Sequence, residues 1–257
     1  VTAVDSVVVV IPARNEEELV GACLRAVARA VAHTHTVLGE RAPLIRIEFV
    51  ADHCTDSTAV VARGFDGVRV LERETGAPVG NVGAARAAGV TAGLDQIAGP
   101  RDRVWLAHTD ADSRVPENWI VEQLAMAADG ADLMVGTVRP DFADLSPSQV
   151  MRWNATHFPG QPNGHVHGAN LGIRADLYLA AGGFLPQSEH EDVDLARRAL
   201  LAGARSVPTD CCEVITSGRS VGRTPGGYAA FLRSQGTVAP GTVDGADDSD
   251  TDTERAV

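Results

Sequence analysis

Several features are scarce in this 257-residue chain, and each scarcity removes a class of function. Basic residues are outnumbered, with 22 Lys and Arg against 34 Asp and Glu and a net charge of −12 at pH 7. Binding to a phosphodiester backbone needs a concentrated basic surface, so nucleic acid is not an expected partner. No apolar run approaches the length of about 18 residues that a membrane span requires, and the N-terminus lacks the charged-then-apolar layout of a secretory leader. An integral membrane segment is therefore not expected, although peripheral contact with a membrane stays open. Cysteine is sparse: Cys23, Cys54, Cys211 and Cys212 show no metal-ligand spacing, and an adjacent pair is a poor framework for a disulfide scaffold. A reducing cytoplasm is the expected compartment. The phosphate-loop pattern with Gly-Lys-Ser is missing, so an ATP or NAD loop is unsupported, and no internal repeat is visible.

What remains is enough apolar material, 44% of residues, for one large α/β domain. "VDSVVVVIPA", residues 4–13, is a β-branched run ended by proline, as expected of a parallel strand buried on both faces. Asn15 is a candidate cap for the helix that follows, with Glu16, Glu17 and Glu18 in its first turn and Leu19, Cys23, Leu24 and Val27 at helical spacing. A second strand is expected at "LIRIEFVAD", then a short helix from Ser57 to Arg63 capped by Thr55 or Asp56, then a third strand at "VRVLER". The glycine-rich "GAPVGNVGAARAAGV" leads into a helix of small residues suited to close packing on a sheet. "RVWLAH" is the next strand, followed by Asp-Ala-Asp and a helix from Pro116 to about Ala128 with proline at its permissive first position.

The second half is less regular. "ADLMVGTV" is a strand, "SPSQVMRWNATHF" a helix capped by Ser146, and "QPNGHVHGANLGIRADLYLAAGGF" a turn, strand and short helix. "EDVDLARRALLAGA" is a helix with Val193, Ala196, Leu200 and Leu201 inward and Gly203 as terminator. From about residue 237 the chain is acidic and nearly free of large apolar groups, and a disordered tail over 237–257 is expected. Strand and helix alternating in this order predict a mostly parallel sheet with helices on both faces, whose ligands lie beyond the carboxyl ends of the strands.

Acids fall at those ends. Asp110 and Asp112 stand two apart on an extended chain, so their carboxylates point to one side and repel unless a cation lies between them. Taken alone, the pair is equally a helix cap, with Asp112 or Ser113 in that role. His165 and His167 are also two apart, but a third ligand at metal spacing is missing, so a loop or substrate contact fits better than zinc. Trp119 and Trp153 could stack on a ligand ring, while core packing is the commoner fate of a helix tryptophan.

Six segments, "VVVVIPARNEE", "VADHCTDST", "GNVGAARAAGV", "HTDADS", "GANLGIRADLYLAAGGF" and "EHEDVDLARR", come in the order and spacing of a family. Over roughly residues 5 to 220 the chain resembles family 2 glycosyltransferases of the GT-A, nucleotide-diphospho-sugar transferase fold. The resemblance implies a Rossmann-like single domain over 1–236, with a nucleotide-binding half at about 1–115 and an acceptor half at about 116–236. It also implies an inverting, divalent-metal-dependent transfer from a nucleotide-diphospho-sugar to an acceptor hydroxyl.

The resemblance assigns roles residue by residue. Asp110, Ala111 and Asp112 match the family's Asp-x-Asp, in which Asp112 binds Mn2+ or Mg2+ and Asp110 contacts ribose or metal. The backbone of Pro12 and Ala13 with the side chains of Arg14 and Glu16 matches the first nucleotide contact. Asp52 matches the aspartate that accepts from the base. The usual text there is Val-Asp-Asp-Gly-Ser, and Ala51, His53 and Cys54 depart from it; a UDP-sugar is the favoured donor, with thymine and guanine donors compatible. Gly83 and Arg86 match a glycine-rich loop and its arginine near the nucleotide, a loop that also serves plain strand-to-helix turns. Glu191 and Asp192 match the Glu-Asp pair, with Asp192 as general base favoured by the helix N-terminus in its charged form. His167 and Asn170 match residues lining the sugar pocket.

Two other classes remain as alternatives, a sugar nucleotidylyltransferase and a non-catalytic nucleotide-sugar-binding protein. The first normally opens with a loop bearing glycine, arginine and lysine after its first strand, and "IPARNEE" lacks glycine and lysine. The second is expected to have lost the Asp-x-Asp or the Glu-Asp pair, and both are present. The identity of the acceptor and the oligomeric state are not legible in the sequence.

Overall fold

The β-branched run at the start of the chain forms β1 (Ser6–Ala13), buried along its whole length at the centre of the sheet. It pairs in parallel with β2 (Leu44–Asp52) on one side and β4 (Val104–His108) on the other, and β2 pairs in parallel with β3 (Val68–Arg73). The computed structural model describes residues 3–73, 81–222 and 227–237, with side chains described up to residue 233. Part of the glycine-rich loop, residues 76–80, and residues 238–257 of the expected acidic tail lie outside the described residues.

Because β1 is covered on both faces, its side chains divide by parity. Val7, Val9 and Ile11 pack with α1 (Val20–Leu38), whereas Val8 and Val10 pack under α3 (Val82–Leu94). Small residues let α3 approach closely: a Cβ on Gly89 would lie 2.7 Å from Val10, and one on Gly93 would collide with Val8. A six-residue helix, α2 (Thr58–Arg63), links β2 to β3.

Beyond β4 the sheet turns mixed. The eight strands run in the order β3-β2-β1-β4-β7-β6-β8-β5, with β5 (Ser113–Arg114), β6 (Leu133–Pro140), β7 (Leu171–Arg174) and β8 (Ser206–Thr216). β7 is antiparallel to both β4 and β6, β8 is parallel to β6 and β5 antiparallel to β8. Helices α4 (Trp119–Ala128), α5 (Pro147–Thr156), α6 (Ala175–Ala180), α7 (Glu191–Leu201) and α8 (Tyr228–Thr237) complete the molecule. The result is a single α/β domain on a mostly parallel, curled sheet. Among the described residues no helix is long and apolar enough to cross a membrane.

Several local expectations need correction. Asn15 does not cap α1: it sits in a left-handed conformation five residues earlier, its Oδ1 accepts from the Thr55 amide, and no acid lies in the first turn of α1. The backbone of Glu16 instead closes a turn into the helix, accepting from the amides of Leu19 and Val20. At α2 it is Asp56, rather than Thr55, whose Oδ1 accepts from the Thr58 amide. Pro116 precedes α4, which starts at Trp119, and closes a turn by accepting from the Trp119 amide. Leu201 is 77% exposed, and Leu195 and Ala199 take the inward positions of α7 with Ala196. By contrast the Ser146 cap of α5 forms as a full capping box with Gln149. β5, β8 and α8 were not legible; β8 carries Pro208, a bulge and mixed burial, so no clean alternation marks it.

Candidate functional site

The carboxyl ends of β1, β2 and β4 open into a cavity of about 850 Å³, a volume suited to a ligand of nucleotide size. Two loops at its edge are stitched to each other. The Glu16 amide donates to Thr58 Oγ1 at 2.7 Å, the Glu17 amide to Asp56 Oδ2 at 3.1 Å, and the Ser57 amide to Glu17 Oε2 at 2.9 Å. These bonds fix the segment that carries Pro12, Ala13, Arg14 and Glu16, all of which line the cavity.

Asp52 ends β2 and also lines it. Arg73 Nη1 donates to its Oδ1 at 2.8 Å, and His53 Nδ1 lies 3.0 Å from the same oxygen. His53 occupies the place of glycine in the family text and has φ 53°, a left-handed conformation that glycine takes without strain and histidine tolerates better than most residues. The departure therefore keeps the turn that glycine would make. The non-glycine residues with positive φ among the described residues are Asn15, His53 and His190, and all three lie at or beside the cavity. Such strain is characteristic of functional sites.

Asp110, Ala111 and Asp112 follow β4 on the cavity wall. Arg86, with only 2% of its side chain exposed, reaches from α3 to join two distant acids: Nη2 lies 2.6 Å from Asp110 Oδ1 and Nε 3.0 Å from Glu191 Oε1. Its guanidinium also lies 5.9 Å from the centre of the Phe184 ring. Gly168 is packed so closely on Arg86 that a Cβ there would collide with Nη2. The Gly168 amide donates to Asp192 Oδ2 at 2.6 Å, so one glycine both admits the arginine and orients the second acid of the Glu-Asp pair.

The electrostatics follow from this crowding. Burial and the neighbouring Asp110 charge push the Asp112 carboxyl up to about 6, against the opposing effect of Arg219. Burial and Asp192 push Glu191 up to about 7, with Arg86 pulling the other way. At Glu191, therefore, desolvation outweighs the helix dipole. His167 is pushed down to about 4 by burial and by His165.

His165 and His167 lie in an irregular segment before Gly168, not on a strand, with ring centroids 6.2 Å apart. His167 lines the cavity and meets the Tyr228 ring edge-on, while Trp153 lines it with its ring stacked on His157 at 3.5 Å. Gly83 and Asn170 are not brought to the cavity. Gly83 packs against the backbone of Leu185 and Gln187. Asn170 is wholly buried, donating to the carbonyls of Thr137 and Cys212 and accepting from Trp119 Nε1 at 2.8 Å. Trp119 is likewise a core residue.

The donor set at Asp110 and Asp112 consists of hard carboxylate oxygens. Among the described residues no three His, Cys, Asp or Glu side chains form a metal cage. The pair therefore fits a divalent ion of the kind that takes oxygen ligands and needs only one or two protein carboxylates. Sequence reasoning missed Arg219, whose Nη2 lies 2.8 Å from Asp112 Oδ2 and whose Nη1 lies 2.7 Å from Glu16 Oε2. It follows β8, a strand that was itself not legible. The chain contains no lysine, so every Lys/Arg-type cation here is a guanidinium.

Among solved structures, the mannosyltransferase PcManGT from Pyrobaculum calidifontis, in complex with GDP-Man and Mn2+, is similar with a TM-score of 0.60 and 18% identity over 88% of this chain and 60% of that one. S. aureus TarS 1-349 is similar with a TM-score of 0.56 and 14% identity over 83% of this chain and 60% of that one. The chain thus spans 60% of the length of each, and at these identities the likeness is one of fold, GT-A. No curated protein sequence matches. The family model described as Glycosyl transferase family 2 matches residues 8–165, more than half of the chain, and the protein belongs to that family of glycosyltransferases.

Proposed function

We propose that the protein is an inverting glycosyltransferase that moves a sugar from a nucleotide-diphospho-sugar, with a UDP-sugar favoured, to an acceptor hydroxyl with the help of Mn2+ or Mg2+. One observation carries the reading: Asp52, Asp110, Asp112, Glu191 and Asp192, spread over the chain, all line one cavity at the carboxyl ends of the central strands. The donor is held by the half at about residues 1–115, and the acceptor by the half at about 116–236.

Asp52, steadied by Arg73, accepts from the base, and the cavity-lining backbone at Pro12 and Ala13 lies against the nucleoside. Arg14, which has no ion-pair partner among the described residues, faces the phosphates. Asp110 would contact the ribose or the metal, and Asp112 would hold the metal. When bound, a divalent ion supplies Lewis-acid stabilisation of the charge that develops on the departing diphosphate. Asp192 takes the proton from the acceptor hydroxyl as its oxygen bonds to the anomeric carbon and the bond to the nucleoside diphosphate breaks. Glu191 is committed to Arg86 at 3.0 Å, which supports Asp192 rather than Glu191 as base. His167 and Trp153 stand at the sugar and acceptor end.

A donor screen tests the reading. Nucleotide sugars of uracil, guanine and thymine are offered with Mn2+, Mg2+ or chelator, and thermal shift and hydrolysis are measured. Metal-dependent stabilisation by one donor, with release of its nucleoside diphosphate and an inverted sugar, is the expected result. Release of pyrophosphate from a sugar phosphate and a nucleoside triphosphate would identify a nucleotidylyltransferase instead. Binding without turnover in the presence of varied acceptors would favour a non-catalytic binder, and a retained anomer would overturn the inverting mechanism.

A further inference from the structure

Around the Asp-x-Asp segment two guanidiniums each serve two carboxylates. Arg86 neutralises Asp110 but is shared with Glu191. Glu16, buried, and Asp112, half-buried, are bridged by Arg219 through separate nitrogens at 2.7 and 2.8 Å. Its partners are thus Glu16, a cavity-lining acid that the family resemblance sets at the nucleotide, and Asp112, which the function proposed above assigns to the metal. A loaded site needs both freed from the guanidinium.

The backbone around Arg219 is anchored while its side chain has room to turn. β5 and β8 pair Ser113 with Thr216, and the Ser217 amide donates to the Asp112 carbonyl at 3.2 Å, so the segment is tied to Asp-x-Asp itself. The Gly218 amide donates to Asp144 Oδ2 at 2.8 Å, and Arg233 Nη1 donates to the Ser220 carbonyl. A withdrawal of the whole segment would break all of these bonds. The Arg219 side chain is 28% exposed and lines the cavity, so rotation about its own bonds can carry the guanidinium inward without disturbing them.

We infer that Arg219 is an exchanging cation: it holds Glu16 and Asp112 in the donor-free protein, yields Asp112 when a divalent ion is bound there, and transfers to the donor diphosphate. A guanidinium fork matches phosphate oxygens as well as carboxylate oxygens, so the exchange trades one charge-assisted pair for another. The position is thus both a competitor of free metal and a contributor to donor binding. This inference rests on the nucleotide-sugar reading.

Its test separates those two effects without using turnover. Binding of Mn2+ alone, followed by the electron paramagnetic resonance of the free ion, and binding of UDP and of GDP at saturating Mn2+, followed by calorimetry, are measured for the wild type, Arg219→Gln and Arg219→Lys. Melting temperatures establish that each variant is folded. Arg219→Gln is expected to bind Mn2+ alone roughly tenfold tighter, because a like charge beside the ion is gone. The same variant is expected to bind the preferred diphosphate roughly 10- to 100-fold more weakly. Arg219→Lys, with the charge but not the fork, should stay near wild type for Mn2+ and fall between the other two for the diphosphate. Unchanged or weaker Mn2+ binding by Arg219→Gln would overturn the competition, and unchanged diphosphate binding would overturn the transfer. If wild type binds neither UDP nor GDP under any metal condition, the nucleotide-sugar reading itself fails and the role of Arg219 with it.

Discussion

The two halves of the sheet are built by different rules. From β1 to β4 the strands are parallel and the central ones are covered on both faces, and β2 and β3 span the segments LIRIEFVAD and VRVLER expected from the sequence. From β5 onward the sheet mixes directions, β5 has two residues, and β8 is interrupted by a bulge. A strand buried on both faces must be apolar throughout, and that is a local property. A half-exposed strand that borders a substrate cavity is held by its neighbours instead. In the function proposed above, that difference becomes a division of labour: the parallel frame is assigned the donor, and the less regular half the reacting groups.

The largest expected effect tests that division directly. Asp192→Asn should lower transfer by roughly 10² to 10⁴-fold, the usual worth of a general base, with donor affinity unchanged. Steady-state kinetics beside calorimetry would check it. Equal loss of donor binding and transfer would erase the separation between halves, and full transfer in Asp192→Asn with loss in Glu191→Gln would move the base by one residue. Asp112→Asn should next remove metal-dependent binding of nucleoside diphosphate by more than roughly 100-fold, since a Lewis acid is worth several kcal/mol. Unaltered metal-dependent affinity in a titration of the folded variant would refute that assignment.

Stability measurements sharpen the comparison further. Arg86→Met strands Asp110 and Glu191 without their shared cation and should cost about 3–5 kcal/mol in denaturant unfolding. Asn170→Ala should cost about 1–3 kcal/mol while leaving donor affinity unchanged, because its amide is spent on the Thr137 and Cys212 carbonyls. A specific rise in KM for the donor, with stability intact, would return Asn170 to the sugar pocket.

The smallest effect belongs to the parallel half. Glu48 on β2 is buried, its carboxyl pushed up by desolvation against the pull of Arg69 and Arg46. A carboxyl raised in the folded state contributes stability that is fully present below its unfolded pKa and is lost as pH rises through the folded one. Glu48→Gln should therefore raise the melting temperature slightly at pH 8 and flatten its decline as pH rises above about 4.5. A variant that melts lower at pH 8 would show the charge to be stabilising.

Much of the site was legible because acids at strand ends are visible in a line of text. Asp52, Asp110 and Asp112 follow apolar runs, and Glu191 and Asp192 start a helix, so each could be placed before any contact was known. Asn15 and Asn170 were misplaced for one reason: a polar side chain that can cap or line a pocket can equally join two loops or fill a core, and only its neighbours decide. Asn15 bonds Thr55, and Asn170 bonds residues on β6, α4 and β8.

The sequence by itself determined the parallel frame, the small-residue face of α3 and the position of the acids, since each depends on residues adjacent in the chain or one helical turn apart. Tertiary structure alone decided which cation meets which acid. Arg86 finds Glu191 at a separation of 105 residues, and Arg219 finds Glu16 at 203. An arginine has the same side chain whether it is solvated or bridging two carboxylates. Its partner is chosen by the packing that buries both, and no local pattern records that choice.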